Sequence, residues 1–299
     1  MNNEYDTFIS YLQHEKRYSA HTILAYDTDL KQFLDFLQAQ YQLNLPSEAT
    51  HFIIRSWIVS LMENKLDPRS VNRKITTLRT LYRYLVRQGS VQKNPMLKVQ
   101  APKTKKKLPE YVDEEKMERL FETSPEVKND FESVRNYLMV DFFYRTGVRL
   151  SELIGLKITD VNLFSLTITV LGKRNKVRQI PITNSFKTIL QNYLSVRTQF
   201  LNEVGVESAH FFVGNTGNKM YPGFVYRVVK SSISQVSTGK KKGPHILRHS
   251  FATAMLNHGA DINAIKEILG HSSLAATQVY THNSIEKLKE VYKQAFPKA

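Results

Sequence analysis

Apolar residues recur at three- and four-residue spacing through most of the chain, the pattern of helices buried on one side. Between Ser19 and Gln40 they are Ile23, Tyr26, Leu30, Phe33, Leu34 and Leu37, with Ser19 or Thr22 available as the cap. A second apolar run covers Phe52 to Leu61. A third helix starts at Asp67-Pro68 and stops at Gly89, with a stripe of Val71, Ile75, Leu78, Leu81, Tyr82 and Leu85. Its other faces carry Arg69, Arg73, Lys74, Arg79, Arg83 and Arg87. Residues 1–98 are therefore expected to form a helical domain.

The periodicity lapses at Ala101-Pro-Lys-Thr-Lys-Lys-Lys-Leu-Pro109, where two prolines bracket a lysine run. This reads as an extended basic linker over 99–110. A second domain, 111–299, begins near Tyr111 with helical patterns over Asp113–Thr123 and Phe131–Arg145. Gly147 interrupts, and a short helix restarts near Ser151. The period then falls to two in Leu166–Leu171 and Val177–Ile182, predicting a hairpin whose tip is Gly172–Lys176. Helices return over Ser185–Leu201, Gly223–Val236, His245–His258, Asp261–Leu269 and Ser284–Ala295. The expected fold class is mainly α, in two domains: a helical bundle, then a mostly helical domain with a small antiparallel β-sheet. No internal repeat is present.

Lys and Arg number 42 against 27 Asp and Glu, a formal charge of +15. A surplus of that size suits a polyanionic partner, because each neutralised phosphate releases counterions. Nucleic acid is the first reading; an acidic lipid surface or a merely basic protein also fits. The charge favours phosphate contacts for the basic faces of the third helix, where solvated side chains are the ordinary reading. There are no cysteines, which excludes disulfides, thiolate metal sites and cysteine nucleophiles. No stretch approaches the roughly 18 apolar residues of a membrane span. Met1 to Ser10 lacks the basic-then-apolar order of a signal peptide. The expectation is a cytoplasmic protein with no membrane partner.

Three segments put cationic groups where a core should be forming. In Thr146-Gly-Val-Arg-Leu-Ser-Glu-Leu153, Arg149 follows a glycine break, and Glu152 lies three residues on, where it can accept from the guanidinium. A structural Arg–Glu pair fits this as well as a functional arginine. In Pro244-His-Ile-Leu-Arg-His-Ser-Phe-Ala-Thr253, His245, Arg248 and His249 share a helix face. A zinc site would want a Glu where Ile246 stands, so no metal is expected. A His and an Arg at the start of a helix are better placed to hold a phosphate. In the third segment His271 opens a turn after Gly270, and Tyr280 follows nine residues later, one tyrosine of fifteen.

In this order the segments resemble the tyrosine recombinase (integrase) family. Its signature is an Arg in a T-G-x-R-x-S-E-L box, a Lys on a β-hairpin, H-x-x-R, and G-H-S-S followed by a tyrosine. The basic linker, the Leu-Arg-His-Ser-Phe-Ala-Thr string and the ending from Tyr280 to Tyr292 are similar to the Xer branch, the bacterial chromosome-dimer resolvases of the XerC/XerD type. Two departures stand out: Arg174 replaces the second glycine of the family's Gly-Lys-Gly-x-Lys tip, and Ala254 replaces the histidine of F-A-T-H.

The resemblance implies an N-terminal SAM-like, core-binding domain and a C-terminal catalytic domain clamped around a double-stranded DNA recombination site. Tyr280 would attack the phosphodiester, leaving a 3′-phosphotyrosyl link and a free 5′-hydroxyl, without metal, ATP or other cofactor. Arg149 and Arg248 would clamp the phosphate. Lys173 would protonate the leaving oxygen, with Lys176 the other candidate. His245 would assist as acid or base, and His271 would donate to the phosphate. Family members work as tetramers through a Holliday junction, and Xer proteins usually pair with a second Xer recombinase under an FtsK translocase. Ser284–Ala295 resembles the helix that family members donate to a neighbour; packing on its own domain is the plain alternative. A mobile-element integrase or invertase uses the same residues, a type IB topoisomerase uses related chemistry, and a non-catalytic DNA-binding protein is the alternative of another class.

Overall fold

The computed structural model describes residues 3–104, 110–122, 130–172, 176–239, 241–270 and 289–293. The chain divides into two compact units, Met1–Lys107 and Leu108–Ala299.

The first unit packs α1 (Asn3–Ser10), α2 (Ala20–Tyr41), α3 (His51–Glu63) and α4 (Pro68–Gln88) around one core. The caps lie where the pattern puts them. Ser19 accepts from the Thr22 amide, Asp67 accepts from the Arg69 amide at 2.8 Å, and Gly89 closes α4 at φ +79°. The stripe from Val71 to Leu85 is buried. The polar opening residues conceal α1, which continues into a π-helical turn at Tyr11–Glu15 and buries Phe8 and Leu12. Three or four apolar residues are too few for a period to stand out.

One expectation for α4 is corrected. Lys74 is buried and donates to Asp29 at 2.8 Å and to Gln32, so it does not reach a phosphate. Arg73 donates to the same carboxylate at 2.6 Å and Thr77 at 2.9 Å. Asp29, wholly buried on α2, clasps α4 through these three groups.

The second unit holds α5 (Glu114–Glu122), α6 (Phe131–Thr146), α7 (Leu150–Gly155), α8 (Asn184–Val204), α9 (Pro222–Val236), α10 (Pro244–Asn257) and α11 (Ile262–Leu269). Its sheet has the order β1 (Val161–Asn162), β2 (Thr167–Leu171), β3 (Val177–Pro181), antiparallel throughout. Helix α6 is buried on nearly every face and runs through the core, packed against α8, α9 and α10. The second strand starts one residue later than its hydrophobic pattern suggests. Leu166 has φ +56° and belongs to a turn in which the Asn162 side chain accepts from the amides of Phe164 and Ser165. Tyr292, in the helical segment 289–293, is buried in this core, and its hydroxyl donates to the Arg145 carbonyl at 2.9 Å. Among the described residues no helix is long and apolar enough to cross a membrane.

Candidate active site

The site is built where α6, α7, α10, α11 and the β2–β3 hairpin converge. Helix α6 ends on Gly147 at φ +59°. A Cβ there would stand 2.5 Å from a ring carbon of Phe251 and 2.8 Å from a methyl of Leu269, so only glycine lets this turn close against α10 and α11. Two residues on, Arg149 is the N-cap of α7. Glu152 turns back to it: one carboxylate oxygen accepts from the Arg149 amide and the other from its guanidinium, both at 2.8 Å.

Arg178, on β3, takes the same carboxylate from the other side. Its two terminal nitrogens donate to the two Glu152 oxygens at 2.9 and 2.8 Å, a bidentate pair. Burial alone would raise the Glu152 pKa, but the hydrogen bonds and charge of Arg178, and then Arg149, hold it at about 2.

Arg248 enters from the second turn of α10. It donates to the Gly147 carbonyl at 2.5 Å and to the Leu269 carbonyl at 2.6 Å. It is only 7% exposed. Burial, and then the neighbouring charges of Arg149 and Arg178, lower its pKa to about 10, so it stays cationic at neutral pH.

The end of α11 gathers all three arginines. A helix C-terminus leaves carbonyls without intrahelical partners and carries partial negative charge. Here Ile268 accepts from Arg178 Nε at 2.6 Å, Leu269 from Arg248, and Gly270 from Arg149 at 3.1 Å. Gly270, at φ +65°, closes the helix with its Cα against the Arg178 side chain.

His245 is exposed on the first turn of α10, one turn before Arg248. Partial burial, followed by the charges of His245, Arg248 and Lys241, lowers the pKa of His249. His249 therefore lies in the cationic neighbourhood of Arg248. Among the described residues no group of His, Cys, Asp and Glu could hold a metal ion.

The structure thus brings together Arg149 and Arg248, 99 positions apart in sequence, at the end of α11, with His245 on the same helix as Arg248 one turn earlier. Lys173, His271 and Tyr280 lie outside the described residues, as do the hairpin tip at Arg174 and most of the last expected helix. The chain neighbours of Lys173 and His271 do fall at the site. Gly172, before Lys173, has its Cα close to Arg178 and Glu152, and Gly270 precedes His271. Lys176, the other candidate for proton donor, carries the carbonyl that pairs with the Gly172 amide at 2.8 Å.

Sequence reading missed Arg178. A signal was available: position 178 alternates with Ile180 and Ile182 on the inward face of the expected strand, an unusual place for a charge unless it is paired.

The comparisons agree with this architecture. Residues 110–287 match the model of the phage integrase family, and residues 5–89 match its N-terminal SAM-like domain. The chain belongs to the phage integrase family, the tyrosine recombinases. It is 37% identical over 317 residues to tyrosine recombinase XerC of Chlorobaculum parvum, covering 98% of this chain and 94% of that one. It is 36% identical to XerC of Oceanobacillus iheyensis, covering 98% and 96%. Its fold is shared by the XerH site-specific recombinase in a post-cleavage complex with palindromic difH substrate, with a TM-score of 0.71 and 22% identity, covering 96% of this chain and 83% of that one.

Proposed function

We propose that this recombinase cuts and rejoins DNA at a specific site through a 3′-phosphotyrosyl link to Tyr280, and that it resolves chromosome dimers at cell division. The observation that carries the reading is the excess of cationic charge at the Glu152 cluster. Two arginines bind the Glu152 carboxylate and a third, Arg248, sits at the same helix end; among the described residues Arg149 donates only to Glu152 and Gly270. Such a surplus is suited to a phosphodiester whose non-bridging oxygens gain charge during in-line displacement. Full-length relatives named XerC support the chromosomal role.

In this mechanism Arg149 and Arg248 hold the scissile phosphate, and the Tyr280 hydroxyl attacks phosphorus. The bond to the 5′-oxygen breaks as Lys173 protonates that oxygen. His245 assists the proton transfers and His271 donates to the phosphate. Bond energy is kept in the phosphotyrosyl ester, so the freed 5′-hydroxyl of a partner strand can reseal it without ATP. Neither metal nor cofactor takes part. Residues 1–98 supply a core-binding domain, 99–110 a basic linker and 111–299 the catalytic domain. The assembly is a tetramer on two duplexes, with a second Xer recombinase and an FtsK translocase as partners, in the cytoplasm.

A nicked duplex bearing the recombination site, from which the broken end diffuses away, traps the link. Wild type should accumulate a covalent adduct and Tyr280→Phe none. Equal adduct from both, or none from wild type, contradicts the assignment.

A further inference from the structure

We propose that Arg178 is a positioning residue for strand cleavage: by holding the Glu152 carboxylate and the Ile268 carbonyl together it fixes the orientation of Arg149. This rests on the reading of Arg149 as a phosphate clamp.

The argument is geometric. Arg178 is 4% exposed, so it does not itself meet DNA. Its fork is fully oriented, with one terminal nitrogen to each Glu152 oxygen and Nε to Ile268. Glu152 in turn holds Arg149 by both its amide and its guanidinium. Withdraw Arg178, and among the described residues the Glu152 carboxylate keeps only its bonds to Arg149, so nothing outside the pair fixes its orientation. Two glycines leave room for the fork. A Cβ on Gly172 would lie 3.3 Å from Arg178 Nη1, and one on Gly270 would lie 3.1 Å from its Cδ. Those glycines are the chain neighbours of Lys173 and His271, so one guanidinium sets the register of the hairpin, of α7 and of the end of α11. Lysine cannot substitute, because an ammonium does not reach two carboxylate oxygens and a carbonyl in one plane.

The test compares full-length wild type, Arg178→Lys and Arg178→Met. The substrate is a nicked duplex carrying a site selected from random-sequence DNA by binding to wild type. It is made with an ordinary phosphate or with a methylphosphonate at the scissile position. The methylphosphonate lacks one anionic oxygen and depends less on an arginine clamp.

Arg178→Lys should melt near wild type and bind the duplex with Kd within about threefold, yet form adduct about 100-fold more slowly at saturating DNA, the scale expected for a misplaced catalytic group. Relative to wild type, that defect should shrink at least about tenfold on the methylphosphonate, since the step it impairs is charge neutralisation. Arg178→Met should show the same pattern if it folds.

The proposal is overturned if Arg178→Lys keeps the wild-type rate, if the defect is equal on both substrates, if rate and affinity fall in step, or if neither variant folds. The last three outcomes assign Arg178 to the scaffold alone. Absence of adduct from wild type would instead sink the reading of the site.

Discussion

Each unit of this chain buries one carboxylate between two cations, and the two arrangements do different work. Asp29 receives Arg73, Lys74 and Thr77, and the cluster ties α2 to α4. Its lysine is sealed in the core, while Arg73 is half exposed. Glu152 receives Arg149 and Arg178, and the end of α11 adds Arg248. There, among the described residues, Glu152 is the one anion acting on Arg248, against two other arginines. The carbonyls of Ile268, Leu269 and Gly270 offset part of that surplus, and an incoming phosphate would offset more. Burial is common to both clusters. Exposure does not separate them, since Arg73 keeps 48% of its side chain exposed and Arg149 28%; the third cation, Arg248, is what the Glu152 cluster has in addition.

The largest expected effects come from neutralising each carboxylate in turn. Glu152→Gln and Asp29→Asn each strand buried cations and should lower stability by about 3–5 kcal/mol in urea denaturation. Only Glu152→Gln should also slow adduct formation by the folded protein, by about 100-fold or more. Asp29→Asn should leave the rate of the folded fraction within about threefold on that scale. Similar rate losses from the two would erase the distinction.

Acid should resolve the clusters next. Glu152 moves from its ordinary 4.5 to about 2, a depressed carboxylate. Its contribution to stability is complete above pH 4.5 and is lost as pH falls from there through about 2. At neutral pH it amounts to roughly 3 kcal/mol. The acid limb of unfolding measured on wild type should therefore flatten between pH 4.5 and 2 in Glu152→Gln, where the titrating group is gone. An unchanged limb would mean that other carboxylates dominate it.

The smallest effects separate two helix-ending glycines. Gly147→Ala meets both a positive φ and two core side chains, and should cost about 1–3 kcal/mol while disturbing the carbonyl that Arg248 grips. Gly89→Ala has the same backbone handicap and open space around it, so about 1 kcal/mol is expected by thermal melting. Equal costs would show that backbone strain, rather than packing against Phe251, sets the price at Gly147.

Much of this was legible in the sequence because local chemistry determined it. Ser19, Asp67 and Gly89 end helices through contacts within a few residues. The apolar stripe of α4 needed only a period. The order of the boxes around Arg149, Arg248 and Tyr280 carried the family. What stayed hidden depends on partners far away in the chain. Lys74 looks like a surface lysine until Asp29, 45 residues earlier, is placed beside it. Arg178 looks like one more basic residue of a basic hairpin until Glu152 and Ile268 close on it. Leu166 fits a strand by hydrophobicity and leaves it because Asn162 builds a turn there.

Arg149 and Arg248 at the Glu152 cluster are thus assigned to receive a phosphate, and Arg73 at the Asp29 cluster to hold two helices together. The direct measurement is the single-turnover rate of covalent adduct formation at saturating nicked DNA for Arg149→Ala, Arg248→Ala and Arg73→Ala. The first two should fall by about 100-fold or more and Arg73→Ala by less than about threefold. Wild-type rates from Arg149→Ala and Arg248→Ala, or an equal loss from Arg73→Ala, would contradict this assignment.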